Sequence, residues 1–414
     1  MSSLKIINAN IFTPLGREAA RGEEMSRIKH IPEACVICED GTITYAGPMA
    51  NAFRCGADKT IDARGAAVIP GFVDSHTHLV FGGYRAEEFD WRLKGDSYMS
   101  IMERGGGIQS TVNATRTESA ADLADKARWF LDRMTEMGVT TVEAKSGYGL
   151  ETATEMKMLD VIDSLAADPD ARIRVVPTFL GAHAVPKEYK GRTGEYVDLM
   201  IREMIPAAKG KAKFFDIFTE KGVFEIDESR RLLQAAKDAG FRLKLHADEM
   251  VTLGGAELAA EMGAVSADHL LHVSDEGVRA MAEKNVVATL LPLTAFALRE
   301  PYAPARKFID AGAPVALATD LNPGSCFSGS IPLTVALACI YMKMSPEEAL
   351  TALTLNGAAA VGLAAETGTI EAGKSADIAI LHFDSYKFLT YYVGMNCVDT
   401  VISRGKIVKE PLKA

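Results

Sequence analysis

Cysteine is scarce. The chain has 6 (Cys35, Cys38, Cys55, Cys326, Cys339 and Cys397) in 414 residues, which excludes a disulfide-stapled scaffold. Cys35 and Cys38 form a C-x-x-C, but the second half of a C-x-x-C…C-x-x-C metal site is missing. The pair sits in an alternating apolar run and reads as buried strand thiols. Long apolar runs are also lacking, since nothing approaches the roughly 18 residues of a spanning helix. The N-terminal M-S-S-L-K-I-I-N-A-N-I-F-T-P does not have the basic-then-apolar order of a signal peptide, so the expectation is a cytoplasmic chain with no membrane partner. Basic runs are absent as well. With 45 Lys and Arg against 55 Asp and Glu, the net charge of −10 gives a nucleic acid nothing to bind. No dinucleotide fingerprint follows any strand-like run. Gly105-Gly106-Gly107 lacks the spacing and Lys-Ser/Thr ending of a phosphate loop, and it reads as a loop bordering a pocket.

At about 150 residues per domain the length suggests two or three domains. Residues 1–66 hold short β-prone runs separated by turn residues, with Asp40-Gly41 as a hairpin signal. Residues 366–414 repeat the pattern, so both ends are expected to build one small composite β-sandwich domain. Residues 67–365 alternate buried-strand runs with amphipathic helical ones. The strand runs are AVIPGFVDSHTH, VTTVEAKSG, RIRVVPTFLGAH, KFFDIFTE, RLKLHADE, AVSADHLLH, VVATLLPLT and PVALATD. Eight strand-then-helix units predict a (β/α)8 TIM-type barrel, an α/β fold whose chemistry gathers at the strand C-terminal ends.

Those ends carry a pattern. The first closes on His76-Thr77-His78; strand alternation puts residues two apart on one face, although a solvated loop pair is the competing reading. His246 closes the fifth, His269 lies at the end of the sixth and Asp320 closes the eighth. One such His is more often a satisfied core histidine, but four His and one Asp at the ends of four strands imply a metal site. Imidazoles with a carboxylate suit zinc or another first-row divalent ion, which would acidify a water and polarise a carbonyl, so the chemistry is hydrolytic. In H-A-D-E both Asp248 and Glu249 are candidates for proton transfer. Cys326 is left out, because metal-assisted hydrolysis needs no thiol nucleophile.

The block V-I-P-G-F-V-D-S-H-T-H, with a later strand-terminal His and the late T-D, resembles the metal-dependent amidohydrolase superfamily, and H-A-D-E belongs to a closer match within it. Further blocks, H-T-H-L-V-F-G-G-Y-R-A-E-E-F, G-G-G-I, E-A-K-S-G-Y-G-L, T-F-L-G-A-H-A-V-P and T-D-L-N-P-G-S, carry a closer resemblance to its ring-opening branch in histidine degradation. That branch converts 4-imidazolone-5-propanoate to N-formimidoyl-L-glutamate, and the resemblance covers essentially the whole chain. It implies one zinc or iron ion per chain on His76, His78, His246 and Asp320, a homodimer, and Glu249 as the proton shuttle. His269 and Asp320 would then orient the attacking water. It also implies substrate contacts from Arg85, Tyr148 and His183, with Tyr98 a weaker one. Asn322, Gly324 and Ser325 are expected to offer donors from the N-P-G-S turn. Binuclear members use a Lys at the fourth strand end; KFFDIFTE ends without one, and Lys145 reads as a charged loop neighbour, so a single ion is expected. The alternatives are a nucleobase aminohydrolase of the same superfamily and a catalytically dead scaffold.

Overall fold

The computed structural model describes residues 3–52, 56–96, 100 and 104–410. Strand β1 (Ser3–Thr13) buries Leu4 and Ile6, then Ala9 and Ile11. The change of phase is taken up at Asn8, whose φ of +51° accompanies a register shift against β2 (Lys29–Glu39). Cys35 and Cys38 lie buried on β2, and burial pushes the Cys38 thiol up to about 12. Asp40 and Gly41 both take positive φ and turn β2 into antiparallel β3 (Thr42–Pro48), the hairpin expected there. β4 (Lys59–Asp62) and β5 (Ala67–Pro70) then pair parallel to β1.

The run A-V-I-P-G-F-V-D, read from sequence as one barrel strand, is two. β5 belongs to the sheet of the chain ends, and only β6 (Phe72–Asp74) enters the barrel. Gly71 makes the crossing: its N–H donates to Asp377 O at 2.9 Å, and a Cβ on it would lie 2.4 Å from Thr140 atoms.

From β6 the chain winds through β7 (Val139–Lys145), β8 (Arg174–Ala182), β9 (Phe214–Thr219), β10 (Arg242–Ala247), β11 (Ser266–His269), β12 (Val287–Leu290) and β13 (Val315–Leu317), each parallel to the one before. These strands are buried almost throughout, as a parallel sheet covered by helices requires. Helix Ala120–Glu136 is typical of the outer layer: Ser119 caps it by accepting from Asp122 N, and Leu123, Ala127, Phe130, Leu131 and Met134 face inward. The barrel closes between β13 and β6. Thr319 N and Oγ1 donate to Asp74 at 3.0 and 2.6 Å, Asp320 N to His76 O at 3.0 Å and His78 N to Leu321 O at 2.9 Å.

Strands β14 (Ile378–Leu381), β15 (Val398–Ser403) and β16 (Lys406–Lys409) complete the end sheet, joined antiparallel through β14 and β5. Leu4, Ile6, Val36 and Ile43 share one apolar cluster with Ile378, Ile380 and Ile402, so this sheet folds over residues from both chain ends.

Candidate active site

The strand C-terminal ends converge on a buried cluster. Nε2 of His76 and Nε2 of His78 each lie 3.5 Å from Asp320 Oδ1, and Nε2 of His246 lies 3.4 Å from Nε2 of His78. All four residues are at most 3% exposed. His76 Nε2 and Asp320 Oδ1 have no hydrogen-bond partner, and orphaned buried polar atoms of this kind are costly. Donors around a tetrahedral ion at 2.0–2.1 Å stand about 3.3–3.4 Å apart, so the spacing fits a first-row divalent cation. His269 joins the same group, within ligand range of His76 and Asp320.

Two of the outer ring nitrogens are held too. His76 Nδ1 is 2.6 Å from Asp268 Oδ2 and His246 Nδ1 is 3.1 Å from Asp216 Oδ2. A carboxylate accepting at Nδ1 leaves the Nε2 lone pair for the centre of the cluster. Burial holds His76, His78 and His269 well below the ordinary imidazole pKa, helped by neighbouring cations and rings. At His246 burial also lowers it, but the charge and hydrogen bond of Asp216 prevail and the net shift is upward.

Beneath the cluster lies a layer of charge that sequence reasoning missed. Lys145 is fully buried rather than a loop neighbour: its Nζ sits 2.8 Å from Glu143, 2.6 Å from Asp216 and 3.8 Å from Asp268. Lys244 Nζ reaches Glu143 at 3.0 Å, Asp268 at 3.6 Å and Ser75 O at 2.9 Å. Burial pulls the Lys145 pKa down, but the three carboxylates outweigh it and keep the side chain a cation.

The chain leaves several strands in strained conformations. Asp248, His269, Leu270 and Asp320 all take positive φ, uncommon for such residues and concentrated here at the cluster. Asp248 and Glu249 now separate. Asp248 is buried and accepts from the N–H groups of Leu253, Gly254, Gly255 and Ala256, so it anchors the start of helix Gly255–Met262. Glu249 Oε1 instead approaches His269 Nδ1 at 3.5 Å. Burial, reinforced by the charge of Asp320, pushes its carboxyl up to about 8.

Of the remaining predicted residues, His183 and Tyr148 lie against His78. His183 stacks on His78 with ring centroids 4.8 Å apart, and its Nδ1 contacts Gly147 O at 3.1 Å. The Tyr148 ring lies 5.2 Å from His183 and 5.7 Å from His78. Its loop is shaped by buried Glu155, which accepts from Gly147, Gly149 and Leu150 N–H. Arg85 contacts Glu88 through Nε and is only 15% exposed. In the N-P-G-S turn, Asn322 donates to Asp320 O and Ser325 Oγ and accepts from Gly324 and Ser325 N–H. These groups already satisfy one another, so the turn is a preformed wall. Buried Cys326 donates to Thr319 O, and burial raises its thiol pKa. Tyr98 lies outside the described residues.

The amidohydrolase family model matches residues 67–408. Proteins named imidazolonepropionase from Bacteroides fragilis and Phocaeicola vulgatus are 60% and 59% identical to the chain over 98% of its length, covering 98% and 99% of theirs. The chain belongs to the imidazolonepropionase family of amidohydrolases. A solved 5-methylcytosine deaminase from Klebsiella pneumoniae superposes with a TM-score of 0.74, covering 99% of this chain and 98% of that one, at 18% identity. At that identity the likeness establishes the fold alone. The imidazolonepropionase relatives therefore favour the ring-opening reading over the nucleobase aminohydrolase.

Proposed function

We propose that the chain hydrolyses the ring C–N bond of 4-imidazolone-5-propanoate to N-formimidoyl-L-glutamate in the cytoplasm, using a metal-activated water. The observation that carries this reading is the full-length identity to the imidazolonepropionases, joined to the guanidinium of Arg85, 15% exposed and within electrostatic reach of Tyr148. The barrel, residues 67–365 less the strand lent to the end sheet, is the catalytic unit; residues 1–66 and 366–414 form the composite β unit. No described helix is long and apolar enough to cross a membrane.

His76, His78, His246 and Asp320 would hold one zinc or iron ion, which supplies Lewis acidity and brings the pKa of water towards neutrality. Arg85 takes the propanoate carboxylate through two parallel hydrogen bonds, a geometry lysine does not offer. Tyr148 and His183 flank the ring, and His183, with its Nδ1–H donated to Gly147 O, keeps the Nε2 lone pair to accept from a ring N–H of the substrate. Asn322, Gly324 and Ser325 form the wall against which substrate lies, and Tyr98 is a further contact. Asp320 and His269 orient the attacking water and receive its proton. As the water oxygen bonds to the ring carbonyl carbon, Glu249 carries a proton to the ring nitrogen, and the C–N bond breaks with that nitrogen leaving protonated. The raised pKa of Glu249 suits a group that both accepts and donates. The assembly is a homodimer on the family resemblance.

The test is incubation of purified protein with freshly made 4-imidazolone-5-propanoate, following ring absorbance and product together. Loss of the ring with matching N-formimidoyl-glutamate is expected. Ammonia release from guanine or cytosine with the imidazolone untouched would overturn the reading. Metal analysis should give one equivalent per chain, and two tightly bound equivalents would count against the single-ion site.

A further inference from the structure

Glu88 lies in A-E-E-F, on the first turn of helix Ala86–Leu93, where a glutamate ordinarily faces solvent. Here the residue is only 7% exposed. A buried carboxylate requires partners, and it has two on a single oxygen. Oε2 accepts from Arg85 Nε at 2.8 Å and from Gly107 N at 3.0 Å. The first contact takes one edge of the guanidinium. Among the described residues, no hydrogen bond engages Arg85 Nη1 or Nη2, the pair that an incoming carboxylate takes side by side.

The opposite flank of Arg85 is confined as well. Gly324 packs directly under it, and a Cβ there would fall 2.2 Å from Nη1. Arg92, four residues beyond Glu88 on the same helix, donates Nη2 to Gly324 O at 2.9 Å and fixes that turn against the helix. The Gly105–Gly107 turn, the helix start and the N-P-G-S turn therefore meet around one guanidinium. A long flexible side chain loses much of its rotamer freedom in such a setting before any ligand arrives.

We propose that Glu88 is a positioning residue for carboxylate recognition. It holds Arg85 by the Nε edge so that the Nη1–Nη2 end is presented to the substrate's carboxylate, and it ties that end to the Gly105–Gly107 turn. The proposal rests on the reading of Arg85 as the propanoate anchor. It assigns Glu88 no contact with substrate.

Steady-state kinetics on the metal-loaded enzyme with 4-imidazolone-5-propanoate test it, comparing Glu88→Gln, Arg85→Met and the double variant. Gln keeps the size and one acceptor for Gly107 N but removes the charge that holds the guanidinium. Arg85→Met should raise KM about 100-fold, and Glu88→Gln about 10-fold with kcat within about twofold, as expected for loss of uniform binding. The double variant should be no worse than Arg85→Met alone, because Glu88 acts only through Arg85. An unchanged KM in Glu88→Gln, a loss confined to kcat, or a loss that adds in full to that of Arg85→Met would overturn the proposal while leaving the Arg85 reading intact. An unchanged KM in Arg85→Met would instead overturn the anchor reading, and the positioning role with it. Should Glu88→Gln fold poorly, Glu88→Asp, which keeps the charge but draws it back from Nε by one methylene, should show the same KM-only signature; a normal KM there would overturn the proposal.

Discussion

At the level of single residues, the site divides into side chains that face the cluster and side chains that hold those in place. Glu249 belongs to the first group. Replacing it with Gln should cut kcat by about 10²–10⁴, the range for loss of a positioned proton carrier, with metal content unchanged. Near-normal turnover would reassign the shuttle. Lys145 belongs to the second group, since it bridges the carboxylates that face His76 and His246. Lys145→Met leaves three buried carboxylates with less compensation. Competition against a chelator should show metal affinity weakened by about 10- to 100-fold, as for other losses of ligand support. The histidines and Asp320 were legible because each ends an apolar run. Lys145, Lys244, Asp216 and Asp268 were not, although a signal exists: Glu143 and Lys145, like Lys244 and His246, stand two apart on strands buried on both faces. A charged side chain there has only the barrel interior to point into, and partner choice across strands is settled by register, which a linear reading does not contain.

Among the elements, the instructive case is the split at Gly71. β5 and β6 are both fully buried, so their hydrophobicity gives no hint that the chain changes sheets between them. The glycine is the one local mark, because its missing side chain lets the backbone pass Thr140. Gly71→Ala should therefore destabilise by about 1–3 kcal/mol, the usual cost of overpacking. Thermal unfolding should register the loss while KM stays at its original value, since the crossing lies at the opposite end of β6 from His76. The hairpin at Asp40-Gly41 and the eight barrel strands were readable because turn chemistry and strand periodicity are local. The choice between Asp248 and Glu249 was not local: it turned on where helix Gly255–Met262 begins and which carboxylate its free N–H groups claim.

On the scale of the whole molecule, a net charge of −10 repels an anionic substrate at long range, so capture depends on short-range groups. KM should change little between low and moderate salt, and a steep dependence would point to steering by a distant basic surface. The seam of the barrel has a separate consequence. Its contacts join Asp74 to Thr319 across 245 positions of chain, and the candidate ligands straddle it, with His76 and His78 on one side and Asp320 on the other. An ion gripping both sides acts as a cross-link, closing a loop whose entropy in the unfolded chain is worth about 5 kcal/mol on the disulfide scale. Stripping the metal should accordingly lower the melting temperature and speed hydrogen exchange at Thr319, Asp320 and Leu321 before the rest of the barrel. The seam then works as a clasp, and the enzyme's lifetime in a metal-poor cell is set where the first and last barrel strands meet.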